Sequence, residues 1–220
     1  MVSVIISEEL KNLVPELKLS CIECDVKIKE KDEVLWSTIA DKVADIRSLM
    51  SVEEISKLSQ IASSRKAYKA CGKDPARYRL SAEALLRRAV KDKEIFQINN
   101  VVDLLNLVSL STGFSIGGYD VEKISGQVIF GIGQKNESYE AIGRGEMNIE
   151  FLPVFRDDLG AFGSPTSDSV RTAVTSGTRR FLMIIIDFGS NRELDEATCM
   201  AVNFLRKYGG AENLEREILR

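Results

Sequence analysis

In Gln97-Ile98-Asn99-Asn100-Val101-Val102-Asp103-Leu104-Leu105-Asn106-Leu107-Val108-Ser109-Leu110, the stretch from Asn99 to Leu110 has the spacing of a helix with apolar side chains on every face. Such a helix belongs inside a protein, covered by other elements. Gly113 ends it, as glycine does at helix C-termini. Asn99, Asp103 and Asn106 nevertheless fall at i, i+4 and i+7, on one face. Buried amides and a buried carboxylate need hydrogen-bond partners. Two readings follow: the polar stripe ties down neighbouring backbone, or it lines a pocket. Both hold together if Asp103 is structural and Asn106 faces the pocket.

Towards the N-terminus the pattern stays helical. Ser81 is placed to cap a helix through Val90 that packs Leu85, Leu86 and Ala89, preceded by a loop over Lys73–Leu80. Ser51 and Glu54 form a capping-box pattern that opens a helix to about Ala70, with Gly72 as its stop. Asp32–Met50 repeats apolar residues at helical spacing. The first thirty residues predict two short strands around a helical turn.

Towards the C-terminus the texture becomes glycine-punctuated strand. Gln127–Ile132 and Phe151–Phe155 read as strands, and Asp157-Asp158-Leu159-Gly160 as a turn into Ala161-Phe162. Arg180–Phe188 carries Phe181-Leu182-Met183-Ile184-Ile185-Ile186 without polar alternation, a strand covered on both faces. Leu194–Tyr208 returns to helical spacing and ends at Gly209-Gly210. Helices, then strands, then a helix predict an α+β fold. The expected organisation is 1–72 as strands and helices packing on the core, 73–190 as the core domain and 191–220 as a C-terminal helix, in one compact unit.

Composition narrows the chemistry. The 220 residues are 44% hydrophobic and 29% charged, with a net charge of -3 and no histidine. That excludes serine–histidine and cysteine–histidine catalysis and histidine metal sites. Cys21 and Cys24 form a C-x-x-C pair, but in an extended segment residues three apart point to opposite faces. No metal site or cofactor is expected. No apolar run long enough for a membrane span and no signal-peptide pattern is present, so the expectation is a cytoplasmic protein with no membrane partner.

Three further stretches could hold a ligand. Gly117-Gly118, within Gly113–Asp120, permits close approach of a ligand to backbone, and a plain turn explains it equally well. Gly163-Ser164-Pro165-Thr166-Ser167-Asp168-Ser169-Val170-Arg171-Thr172 crowds hydroxyls, a carboxylate and a guanidinium together. Ser167, Asp168 and Arg171 are its candidates for gripping an α-amino group or a phosphate, against the alternative of a self-capped turn. From Arg65 to Lys93 ten basic residues face three acidic ones. Arg77, Arg79, Arg87 and Arg88 in that stretch are candidate RNA contacts.

The Ile98–Asn106 run, followed by Gly117-Gly118-Tyr119-Asp120, resembles the paired third and fourth B modules of the phenylalanyl-tRNA synthetase beta subunit. The Ser81–Arg88 helix and the Asp157–Gly160 hairpin with Gly163 resemble it too, over about Pro75–Asp187. The resemblance implies a β-sandwich core with flanking helices and, for residues 73–190, a tRNA-editing-like domain that admits the aminoacyl end of tRNA. It implies a freestanding deacylase of mischarged aminoacyl-tRNA or, alternatively, a non-catalytic module binding tRNA or a free amino acid. Ligase activity is not implied, because the class II catalytic modules are absent. The pocket positions it implies are Asn100, Leu105, Asn106 and Gly117, with a glycine near Gly163, and the adjoining Gly118 amide is a further candidate. Gly117 stands where the family typically has histidine, and Leu105 where it often has threonine. An isoleucine within Ile184–Asp187 stands where the family reads a tyrosine hydroxyl with glutamate. Losing that carboxylate implies a different amino-acid preference.

Overall fold

A computed structural model of the chain describes residues 1–190, 192 and 194–220. Strand β1 (Val4–Ile6) leads into α1 (Glu8–Leu13), whose N-cap Ser7 accepts a hydrogen bond from the Leu10 amide. Strand β2 (Lys18–Asp25) follows, then α2 (Glu33–Leu49), capped by the Asp32 side chain on the Leu35 amide. The Ser51/Glu54 capping box forms, but it opens only the short α3 (Val52–Ile55). The chain restarts as α4 (Ser59–Ala70), and Gly72 then takes a φ of 88°. The single helix expected over this stretch is therefore two.

Helix α5 (Ser81–Val90) begins as expected, but Ser81 is not its cap: Leu80 holds that position, and no side chain caps it. The Ser81 amide instead donates to the Pro165 carbonyl at 2.7 Å, so a neighbouring loop takes the orphan donor. Helix α6 (Asn100–Thr112) is capped by Asn99, which accepts from the Val101 and Val102 amides, and ends at Gly113 with φ 79°.

Strand β3 (Ser115–Asp120) contains Gly117 and Gly118 in mid-strand, so the glycine pair is neither turn nor loop. Then come β4 (Val128–Ile132), the small ribbon of β5 (Glu140–Ala141) and β6 (Gly145–Glu146), and the hairpin of β7 (Pro153–Asp157) and β8 (Gly160–Gly163). Strand β9 (Arg180–Asp187), helix α7 (Leu194–Tyr208) and strand β10 (Glu212–Leu219) complete the chain. Nothing in the sequence pattern marks β10. Its alternation is weak, and most of its side chains are exposed.

Two four-stranded sheets form, in the orders β1-β4-β7-β8 and β10-β2-β9-β3. Among the described residues, only the β1–β4 pairing is parallel. The sheets meet through aromatic side chains. Tyr119 of β3 stands edge-on to Phe162 of β8, with ring centres 4.9 Å apart, and to Phe155 of β7 at 6.0 Å. Such pairs add about 0.5–1.5 kcal/mol each beyond the area they bury. The second sheet turns its other face to α6 and α7. Strand β9 is thus covered on both sides, as its unbroken apolar run requires.

The strands of the first 25 residues are built into both sheets, and one apolar cluster runs from Val4 to Tyr208. Cys21 and Cys24 are buried side by side with β9, and burial pushes both thiols up to about 12. Neither is ionised near neutral pH.

Candidate functional site

The site is built where the two sheets come closest at one margin. Strand β3 is the edge of its sheet, so every second backbone amide points away from β9. The Gly118 amide is one of these, and it lies 3.4 Å from an Asp168 carboxylate oxygen. The Tyr119 hydroxyl donates to Asp168 at 2.9 Å, and the Ser164 amide reaches it at 3.3 Å. Asp168 therefore caps the bare edge of β3 and joins it to the loop that leaves β8.

That loop is held from several sides. The Ser164 hydroxyl donates to the Ser167 carbonyl at 2.8 Å and accepts from the Thr166 and Ser167 amides. Tyr139 donates to the Ser167 carbonyl, and Tyr68 and Thr166 share a hydrogen bond of 2.9 Å. Asp168 retains some solvent exposure, but protein atoms crowd its carboxylate. Burial pushes its pKa up to about 7, against the hydrogen bonds from Tyr119, Ser164 and Gly118.

Residue alternation along β3 divides the expected pocket. Gly117 and Tyr119 face the sandwich interior, and Gly118 faces the helices. A Cβ on Gly117, or on Gly163 of β8, would run into the Tyr119 hydroxyl, while one on Gly118 would meet Leu105 of α6 and Phe181. Gly117, Gly163 and Asp168 are thus brought together around Tyr119, and Leu105 and Gly118 meet on the opposite side of the strand. Among the described residues, surface cavities of about 280–350 Å³ open beside α2, α1, β4 and α5, and these are not lined by the expected pocket residues.

The polar stripe of α6 separates similarly. Asn100 is fully buried; it accepts from the Lys29 amide and donates to the carbonyls of Lys27 and Tyr208. Asp103 accepts from the Trp36 indole at 2.7 Å and from the Ile98 amide at 3.0 Å. Both tie α6 to its surroundings, which differs from a pocket-lining place for Asn100. Asn106 is half-buried, and no protein hydrogen bond to its amide occurs among the described residues. Arg171 also departs from the ligand-gripping role. Its guanidinium clasps Asp157 in a bidentate pair at 2.8 and 3.0 Å and donates to the carbonyls of Lys123 and Gly160. Ser167 contributes chiefly its backbone.

The basic candidates lie around α4 and α5. Arg77 and Arg79 are exposed, and Arg87 and Arg88 are half-buried. Arg79 and Arg87 both approach Glu83. Arg88 lies over the ring of Phe96, 4.6 Å from its centre, and donates to the Glu94 carbonyl. Sequence reasoning passed over Tyr119 and Glu83. The i, i+2 relation of Gly117 to Tyr119 in a strand, and the four-residue steps Arg79–Glu83–Arg87, are the signals that point to them.

Helices packed on one face of a two-sheet sandwich, with a glycine-bearing edge strand closed by a hydroxyl-rich loop, define the class. The chain belongs to the B3/4 domain family, whose model matches residues 63–205. It superposes on the crystal structure of an N-terminal fragment of the phenylalanyl-tRNA synthetase beta-subunit from Pyrococcus horikoshii. The TM-score is 0.50 at 16% identity, over 100% of this chain and 54% of that one. The chain therefore spans about half the length of that fragment, and likeness at this identity is a likeness of fold. No curated protein matches the sequence. The chain is a B3/4-family domain of α+β architecture.

Proposed function

We propose that this chain acts on tRNA as an editing-type domain, receiving the aminoacyl end and hydrolysing the ester of a wrongly attached amino acid in the cytoplasm. Membership of the B3/4 family over residues 63–205 carries this reading. The chemistry rests on Asp168. With a pKa near 7, its carboxylate is partly ionised at neutral pH and suited to take a proton from water. The unengaged Asn106 amide is the group available to orient the ester. Hydroxyls of the terminal ribose can assist where the protein offers no second base.

A non-catalytic reading is favoured by one observation: Tyr119 fills the space between Gly117 and Gly163. The domain then holds the tRNA end, or a free amino acid, without chemistry. Incubation of purified protein with a panel of mischarged tRNAs separates the two. Release of amino acid that Asn106→Ala and Asp168→Asn each abolish supports hydrolysis. Binding without release supports the module, and no binding at low salt overturns both.

A further inference from the structure

Glu83, in the first turn of α5, is 1% exposed and stands among three guanidinium groups. Arg65 reaches across from α4 to one carboxylate oxygen at 2.9 Å, and Arg87 takes the other through Nε at 2.9 Å. Arg79, from the segment leading into α5, comes within 3.8 Å through its own Nε. One carboxylate among three guanidiniums leaves two positive charges uncompensated. Two other arginine sites do the reverse or balance charge. Arg180 is one guanidinium among Glu23, Asp25 and Glu215, and Arg171 is neutralised by Asp157.

Three cations of like charge repel one another and would spread apart in water. A buried carboxylate holds them converging, and it engages only part of each fork. Among the described residues, no protein acceptor takes the Nη groups of Arg79 or Arg87. The side chains of Arg65, Arg79 and Arg87 remain 29%, 47% and 26% exposed, so the unengaged donors are open to solvent. Planar forks with free N–H pairs match the oxygens of a phosphate.

Two neighbours favour a nucleic-acid phosphate over a free ion. Lys69 is exposed one turn beyond Arg65 on α4 and extends the positive field along the helix. Past the other end of α5, Phe96 is 58% exposed and carries Arg88 on its ring, a surface on which an unpaired base can stack. We infer that Arg65, Arg79 and Arg87 form a phosphodiester-binding site for RNA, with Glu83 as its positioning residue. The inference rests on the tRNA reading and adds where the backbone of that RNA is held.

The test uses the whole chain and labelled unfractionated tRNA, titrated over a series of salt concentrations. Arg65→Gln, Arg79→Gln and Arg87→Gln should each weaken binding and flatten the slope of log affinity against log salt by roughly 0.7–0.9. Glu83→Gln decides the positioning role. It makes the surface more positive, so an unstructured basic patch would bind tRNA more tightly, whereas a site organised by Glu83 binds several-fold more weakly. Thermal melting checks that each variant is folded. If Glu83→Gln does not fold, the Arg65→Gln/Arg79→Gln double variant decides whether the site exists. Unchanged binding in the arginine variants overturns the site while leaving the tRNA reading standing. A wild-type chain that binds no tRNA overturns both. Saturation by inorganic phosphate with no preference for tRNA, or binding only to anionic phosphatidylserine vesicles, overturns the nucleic-acid assignment.

Discussion

The Tyr119 hydroxyl and the Asp168 carboxylate meet at 2.9 Å across the seam between the two sheets. Burial of that carboxylate makes the seam sensitive to pH, because it raises the folded pKa of Asp168 to about 7, far above that of an exposed aspartate. Between about pH 4 and 7 the folded state holds a proton that the unfolded state releases. Stability from this group is therefore complete at low pH and declines as pH rises through 7. Asp168→Asn keeps an oxygen for Tyr119 and removes the titration. Melting temperatures at pH 5 and pH 8 should show the wild type losing more than the variant.

Gly117→Ala forces a methyl group against the Tyr119 hydroxyl, whose ring is held by Phe155 and Phe162. Overpacking of this kind costs about 1–3 kcal/mol. In a Tyr119→Leu background the same substitution should cost much less. A double-mutant cycle by urea denaturation measures the coupling, and simple additivity would show that the two positions do not compete for space.

Asn100→Ala leaves the Lys29 amide and the Lys27 and Tyr208 carbonyls without their partner. Unsatisfied buried polar groups cost about 1–3 kcal/mol each, and some of these will find water. A loss of about 2–4 kcal/mol by chemical denaturation is expected, with tRNA affinity of the folded protein unchanged. A selective loss of affinity at full stability would return Asn100 to the pocket.

Arg171→Ala strands the buried Asp157 carboxylate. Burial alone would raise the Asp157 pKa, but Arg171 and the amides of Ser125 and Leu159 outweigh it and hold the carboxyl below the usual value. Its stabilisation is therefore present above about pH 4 and is lost as pH falls through the folded pKa. Breaking the pair should cost about 3–5 kcal/mol at neutral pH, with the difference from wild type shrinking towards pH 3. Thermal unfolding across that range is the measurement.

The sequence showed the elements whose patterns are strong. The buried helix with its Gly113 stop, the β7–β8 turn and the unbroken apolar run of β9 all act through local spacing, whereas the cap role of Asn99 emerged only in the fold. Strand β10 escaped because most of its side chains are exposed, which leaves little apolar alternation to read. The fate of Ser81 escaped because its amide partner, Pro165, lies far along the chain. Arg171 has the look of a ligand residue in sequence, and only the fold brings Asp157 under it. The Gly117-Gly118 pair suggested a loop, since sequence alone does not show that a tyrosine two residues on needs the room.

The family match begins at residue 63 and ends at 205, but β9 pairs on one side with β2, which lies before those limits. Strand β2 in turn pairs with β10, which lies beyond them. A fragment cut to the matched segment would present the almost wholly apolar β9 as a bare edge, the kind of surface that recruits other chains into aggregates. What is inherited together and what folds together have different limits here.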